Sequence, residues 1–132
     1  MAMLDEVETY LEALGTISYP IRKGFIPTDV TEVMVLSEQP GTGAELGFGH
    51  VGIYLENPLL QVAARGEPDD YAAPRAQLEL AFQALPKIQA EELTGTLYHT
   101  VIPRQGIFLM YVDEKRRPVL GFTLDVAKRP SA

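Results

Sequence analysis

The chain has 132 residues, enough for one domain with a core of its own, so we predict a single domain over residues 1–132. It has no cysteine, which excludes disulfides, thiol nucleophiles and cysteine-ligated metals. With 11 basic and 18 acidic residues the formal charge is −7. Such a charge argues against a protein that grips nucleic acid or an anionic membrane over a broad face.

The first residues are acidic and lack the basic and apolar segments of a signal peptide, and no stretch reaches the length of a membrane span. We therefore expect a protein that stays in the cytoplasm where it is made. The charge is unevenly distributed along the chain. Residues 1–112 carry 6 basic and 15 acidic side chains, whereas residues 113–132 carry 5 basic and 3 acidic ones. The body is thus strongly acidic, and the C-terminal segment is locally basic.

Hydrophobic spacing predicts an amphipathic helix over residues 3–14, because four apolar side chains recur three and four positions apart: Leu4, Val7, Leu11 and Leu14. The acidic residues occupy the other positions of this helix, and Gly15 follows as a C-cap. Residues 16–29 contain prolines and a glycine, so we expect an extended connection with little regular structure there.

Two strands are predicted next. Residues 31–37 are apolar on both faces, which is typical of a strand covered on both sides, and residues 59–65 continue the pattern. The glycine-rich segment 39–51 between them predicts a mobile loop or a splayed hairpin.

The strongest helix signal covers residues 70–85. Asp69 or Asp70 would cap the helix, Pro74 would fall in its first turn, and Pro86 would end it. Its buried stripe is predicted to contain Tyr71, Leu78, Ala81, Phe82 and Leu85.

Three strands are predicted in the C-terminal part of the chain, over residues 96–103, 107–112 and 118–127, with a charged turn at 113–117. The resulting order of helices and strands predicts an α+β fold, in which a mixed or antiparallel sheet of about four to five strands carries two main helices on one face.

Catalytic and metal-binding patterns are sparse. The two histidines, His50 and His99, lie far apart in the chain, and no metal-ligand spacing surrounds either one. The glycines between residues 41 and 49 have no lysine or arginine among them and no helix after them, unlike a phosphate-binding loop. Three acidic pairs, at positions 69–70, 91–92 and 113–114, lie in predicted turns or helix starts, where capping and solvation explain them. We expect neither an enzyme nor a cofactor or metal site.

The segment Asp113, Glu114, Lys115, Arg116, Arg117 and Pro118 has three consecutive cations. Three cations next to two acids are fewer than a nucleic-acid patch needs, so two interpretations remain: a solvated hairpin tip, or a loop that meets an acidic surface of another subunit.

Several local patterns, taken in order, resemble the phage minor capsid and tail terminator family of long-tailed bacteriophages. A strand ends in a Pro-Gly turn, a second strand follows a proline and ends in Arg-Gly, a tyrosine and a helix come next, and two apolar strands flank the charged turn. These pieces cover residues 33–41, 58–66, 71–85, 93–103 and 107–126. The helix departs from the family pattern at Pro74, and segment 43–57 is longer and richer in glycine than the family pattern.

This resemblance implies structural work in the virion. Tail terminators form a ring, usually of six copies, at the head-proximal end of the tail tube, where they stop tube polymerisation and join the tube to the neck. The implied partners are other copies of the chain, the tail tube protein and a head-tail connector or neck protein. DNA would pass through the ring without specific binding, since an acidic chain binds phosphate poorly. The implied location is the tail-neck junction of the virion, with assembly in the host cytoplasm.

Two sets of residues are the candidate contact sites. The subunit or partner interface is expected to contain Arg65, Asp113, Lys115, Arg116 and Arg117. A flexible docking loop is expected at Gly41, Gly43, Gly47, Phe48, Gly49 and His50. The alternatives are a head-completion or connector protein of the neck, and a small ligand-binding or enzymatic α+β domain that uses the glycine-rich loop and His50.

Overall fold

A computed structural model describes residues 3–46 and 53–129. Along the chain its elements are α1 (Met3–Leu14), β1 (Ile21–Lys23), β2 (Val33–Leu46), β3 (Ile53–Arg65), α2 (Ala72–Ala84), a short 3-10 helix (Leu85–Lys87), β4 (Gln89–Leu93), β5 (Thr96–Pro103), β6 (Phe108–Val112) and β7 (Pro118–Lys128). The α+β class predicted from the sequence is confirmed, but the sheet is larger than predicted, with seven strands.

The seven strands form one mixed sheet in the order β1-β2-β3-β7-β5-β4, and β6 also pairs with β7. Strands β5 and β6 lie end to end along the same edge of β7, both antiparallel to it. They are connected through residues 104–107, where the Arg104 N–H still donates to the Thr123 carbonyl at 2.8 Å. The β5–β6 arm and β7 therefore form one long hairpin, which turns at residues 113–117.

One hydrophobic core contains residues from both helices and alternate residues of the central strands. Because successive side chains of a strand point to opposite faces, these alternate residues define one face of the sheet. The core includes Met34 and Leu36 of β2, Leu60 and Val62 of β3, and Leu120, Phe122, Leu124 and Val126 of β7. The inward positions predicted for the last strand are thereby confirmed. Phe82 of α2 meets Phe122 edge to face, with ring centroids 5.1 Å apart.

Both predicted helices are present, but their buried faces differ from the prediction. In α1, Met3, Glu6, Val7 and Leu11 are buried, whereas Leu14 is exposed. In α2, Leu78 and Ala81 are buried as expected, while Tyr71 is 45% exposed. Asp70 fulfils the predicted capping role, since its side chain accepts the Ala73 N–H at 3.1 Å. Tyr71 precedes the first helical residue, so helical spacing does not apply to it.

Two strands were not predicted. Strand β1 lies inside the segment expected to have little regular structure, where it pairs in parallel with Met34–Leu36 of β2. Strand β4 contains the Glu91–Glu92 pair that was assigned to a turn, and it pairs with the start of β5. Both strands are short and exposed on most of their residues, so neither has the apolar alternation by which a strand is predicted.

Candidate assembly surface

The turn between β6 and β7 is organised by Asp113. One carboxylate oxygen accepts the backbone N–H groups of Lys115 at 3.0 Å and Arg117 at 2.9 Å, and the other accepts the Arg117 Nε at 2.7 Å. Desolvation opposes ionisation of Asp113, but these hydrogen bonds outweigh it and hold the pKa below its usual value. Asp113 therefore serves as the internal brace of the hairpin.

Arg65, at the end of β3, is 5% exposed. Its guanidinium donates to the backbone carbonyls of Pro27 at 2.8 Å and Thr31 at 3.3 Å, and also to that of Val30. Burial, followed by the nearby charge of Arg117, lowers the pKa of Arg65. This side chain ties the segment between β1 and β2 to the sheet, since backbone carbonyls that lack a ladder partner need a donor.

The five predicted interface residues thus have different environments. Arg65 and Arg117 are buried within the fold, and Asp113 is half-buried between them. Lys115 and Arg116 are exposed at the tip of the turn. Arg116 Nη2 lies 2.9 Å from Asp69 Oδ1, and the Asp69 N–H donates to the Arg116 carbonyl at 2.8 Å, so the tip is joined to the loop before α2. Lys115 forms no ion pair with any described residue.

Strand β6 was predicted from the sequence as a strand over residues 107–112, but its exposure was not predicted. It consists of five apolar residues, FLMYV, and four of them are between 42% and 54% exposed: Phe108, Leu109, Tyr111 and Val112. Among the described residues its only strand neighbour is β7, so its outer edge is open. An open strand edge without a charge or a proline is a template for pairing with another chain, and natural proteins usually block such edges. The apolar run was visible in the sequence and predicted a strand, without indicating that its side chains are exposed.

Gly121 of β7 pairs with Phe108 of β6. A Cβ atom built on Gly121 would lie 2.7 Å from the Met110 sulfur and 2.8 Å from the Val62 carbonyl oxygen. Because Gly121 has no side chain, Met110 can occupy the space beside it against the sheet.

The predicted docking loop divides into two parts. Gly41 and Gly43 lie within β2, in the half of the β2–β3 hairpin where register shifts occur. A Cβ on Gly41 would overlap the Asn57 carbonyl oxygen of β3, so Gly41 permits close approach of the two strands. Gly47, Phe48, Gly49 and His50 lie outside the described residues. Within the described residues, the glycine-rich segment is thus part of a splayed hairpin, which is one of the two forms predicted for it.

A buried polar pair lies under α1. The Tyr98 hydroxyl of β5 donates to Glu6 at 2.9 Å, and both residues are buried, Glu6 being 1% exposed. The other carboxylate oxygen of Glu6 is also buried and has no hydrogen-bond partner among the described residues. Burial, followed by the hydrogen bond to Glu6, raises the pKa of Tyr98 well above its usual value. The pair ties α1 to β5, and no sequence pattern distinguished Glu6 from the exposed acids of the same helix.

Sites for small ligands are few in residues 3–46 and 53–129. No group of three or more acidic or histidine side chains among them is placed to hold a metal ion. His99 lies in β5 as predicted, with a buried Nε2 that has no hydrogen-bond partner among the described residues. A pocket of about 220 Å³ is lined by uncharged residues: Pro86, Ile88, Gln89, Thr100, Val101, Ile102 and Pro103. None of the helices in this part of the chain is both long and apolar enough to cross a membrane.

Comparison with known proteins adds no relative to these observations. No protein-family model matches the chain, and no curated protein sequence matches it.

Proposed function

We propose that the protein is a structural assembly protein of the tail terminator type, which forms a ring on the head-proximal end of a phage tail tube and joins that tube to the neck. The observation that carries the proposal is the open, apolar edge of β6 beside a basic turn, on a chain of net charge −7. A subunit that works alone has no use for such an edge, whereas a subunit of an assembly covers it.

A closed ring needs heterologous contacts, in which one patch of a subunit meets a different patch of its neighbour. The chain offers unlike patches: Lys115 and Arg116 form a basic tip, while the exposed acids of the body carry the opposite charge. The sequence resemblance supports six copies. A ring of acidic subunits would also let DNA pass without binding it, because phosphate binding depends on cationic side chains.

The test is electron microscopy of the purified protein, alone and with its tail tube protein. We expect rings in the first sample and tubes capped at one end in the second. Native mass spectrometry gives the number of copies. A chain that stays monomeric at high concentration and leaves tube growth unaffected would contradict the proposal.

A head-completion or connector protein of the neck is the second candidate, because the same open edge suits any ring of the head-tail junction. Mixing the protein separately with tail tubes and with filled heads distinguishes the two: a terminator caps isolated tubes, and a head-completion protein binds only to heads.

A further inference from the structure

We propose that copies of the chain join by strand pairing, with the open edge of β6 in one copy running antiparallel to β1 of the next copy. This inference rests on the proposed function, since it names the subunit contact of the ring. It follows from the pairing pattern of the sheet, from exposed apolar side chains on both edges and from opposite charges at the ends of the two strands.

The two edges of the sheet have complementary shapes, because at each edge one half of the sheet projects one strand beyond the other half. Near the hairpin turn at residues 113–117 the strand order is β1-β2-β3-β7-β6, and at the opposite end it is β2-β3-β7-β5-β4. Each half is thus five strands wide, and the two halves are offset by one strand. A second copy placed beside the first fits its protruding β1 next to the recessed β6. The protruding β4 of the first copy then meets the open part of β2 in the second.

The strand directions also agree. Strand β1 is parallel to β2, β2 and β7 are both antiparallel to β3, and β6 is antiparallel to β7. When two copies are related by a rotation about an axis along the strands, β6 and β1 therefore run in opposite directions. Antiparallel pairing of this kind is slightly more stable per residue than parallel pairing.

Strand β1 directs backbone groups to its open edge, although the Ile21 carbonyl there already accepts the Arg22 Nη1 at 3.4 Å. The Pro20 carbonyl accepts the Met34 N–H at 2.9 Å, and the Gly24 N–H donates to the Leu36 carbonyl at 2.8 Å, so these groups face β2. Because backbone groups alternate along a strand, those of Ile21 and Lys23 face the open edge.

Exposed apolar side chains lie on both edges. On one edge is β6. On the other edge β1 itself has the sequence IRK, with Arg22 and Lys23 exposed and Lys23 ion-paired with Asp5 and Glu8 of its own copy, and the apolar side chain is that of Phe25, which follows β1 by two residues and is 77% exposed. The proposed pairing would bring these apolar side chains together and remove them from water.

The charges at the ends of the strands are opposite. Lys115 follows β6 without an ion pair to a described residue, while Arg116 beside it is paired with Asp69 of its own copy. In the neighbouring copy the same end of the contact carries Asp29 and Glu32, which precede β2. Both acids are exposed, and neither forms an ion pair with a described residue of its own copy. Glu32 lies near the start of β1, because Ile21 of β1 pairs with Met34, two residues after Glu32. The basic tip of one copy thus faces an acidic patch of the next.

The test uses the full chain and measures oligomeric state by light scattering after size exclusion and by native mass spectrometry. Leu109→Lys places a charge in the proposed contact and should weaken association by at least about 100-fold. The matched control is Leu80→Lys on α2, a leucine of similar exposure that lies away from both edges and should leave association unchanged. Circular dichroism of both variants confirms that they fold.

A charge exchange tests the pairing directly. Lys115→Glu and Glu32→Lys should each weaken association by about tenfold, and the double variant should restore most of the loss. If rings form but neither Leu109→Lys nor the charge exchange affects them, strand pairing through β6 is wrong and the proposed function stands. A wild-type chain that never associates overturns both.

Discussion

Strands β4 and β6 are both five residues long and both lie on the outer side of the same sheet, yet their open edges differ in chemistry. Strand β4 reads QAEEL, with Glu91 and Glu92 exposed, whereas β6 reads FLMYV without any charge. Charged side chains on an edge strand repel a second strand and are a common protection against unwanted pairing. The comparison indicates that β6 has the composition of an edge covered by another strand, whereas the exposed charges of β4 make it the weaker edge for pairing.

The two edges are also attached differently. Strand β4 lies beside β5, which is tied to α1 through the buried pair of Tyr98 and Glu6. Among the described residues, β7 is the strand that joins β6 to the sheet, and Asp113 organises the turn between them. We therefore expect the stability of the end of the sheet that carries β4 to depend on the core, and that of the end that carries β6 to depend on its hairpin.

The largest effect on stability is expected at the anchor behind β4. Tyr98→Phe removes the hydroxyl that donates to the buried Glu6 side chain and should lower the free energy of unfolding by about 2 kcal/mol, because a buried polar group loses its hydrogen bond. Chemical denaturation measures the change. Tyr111→Phe on β6 is the matched control, since Tyr111 is 49% exposed, and should change stability by less than about 0.5 kcal/mol.

The double variant Glu6→Leu with Tyr98→Phe sharpens this test. It removes both buried polar groups together, so it should recover most of the lost stability. If Tyr98→Phe lowers the free energy of unfolding no more than Tyr111→Phe does, the buried pair does not anchor β5.

The second effect concerns the attachment of β6. Gly121→Ala places a Cβ atom against Met110 and the Val62 carbonyl, and should lower stability by about 2 kcal/mol, because backbone must shift to relieve the overlap. In the Gly121→Ala variant, the backbone amides of β6 should exchange their hydrogens faster than those of β4. Gly106→Ala is the control, since nothing lies within 4 Å of its Cβ position. Equal exchange in both strands would contradict the separate attachment.

The third effect concerns the turn and depends on pH. Asp113 has a lowered pKa in the folded chain, so its ionised form stabilises the fold above the ordinary carboxyl pKa of 3.8, and this contribution is lost as pH falls through the lower folded value. Asp113→Asn should therefore be less stable than the wild type at neutral pH, with a difference that shrinks on acidification. Urea denaturation at several pH values measures it, and Glu114→Gln serves as the exposed neighbour control. A difference that is independent of pH would show that the charge of Asp113 contributes nothing.

Much of the fold was predictable from the sequence, because long elements with one buried face carry a periodic signal. Helix α1, the core of α2 and strand β7 with its inward positions Leu120, Phe122, Leu124 and Val126 all follow from spacing alone. Short edge strands such as β1 and β4 do not, since hydrogen bonding to a neighbour defines them and their side chains remain in water.

The candidate surface was less predictable than the fold. Sequence reasoning identified the charged turn, but it could not tell that Arg117 is buried with Asp113 while Lys115 remains exposed. The burial of a charged residue depends on partners distant in the chain, as the contacts of Arg65 with Pro27 and Thr31 illustrate. For the same reason the exposed apolar run of β6 could not be distinguished from a core strand.

The smallest effect on stability, and the most direct test of the comparison, is expected from removing the charges of β4. Glu91→Leu with Glu92→Leu should change the free energy of unfolding by less than about 0.5 kcal/mol, because both side chains are exposed. The altered β4 would, however, resemble β6 as an open apolar edge, so light scattering should show additional, irregular association. Glu91→Gln with Glu92→Gln controls for the loss of charge without a gain in apolar surface. If the leucine variant associates no more than the wild type, apolar composition alone does not cause an open edge of this sheet to pair with another chain. Pairing through β6 would then also require a neighbour whose sheet edge has the complementary offset and charges.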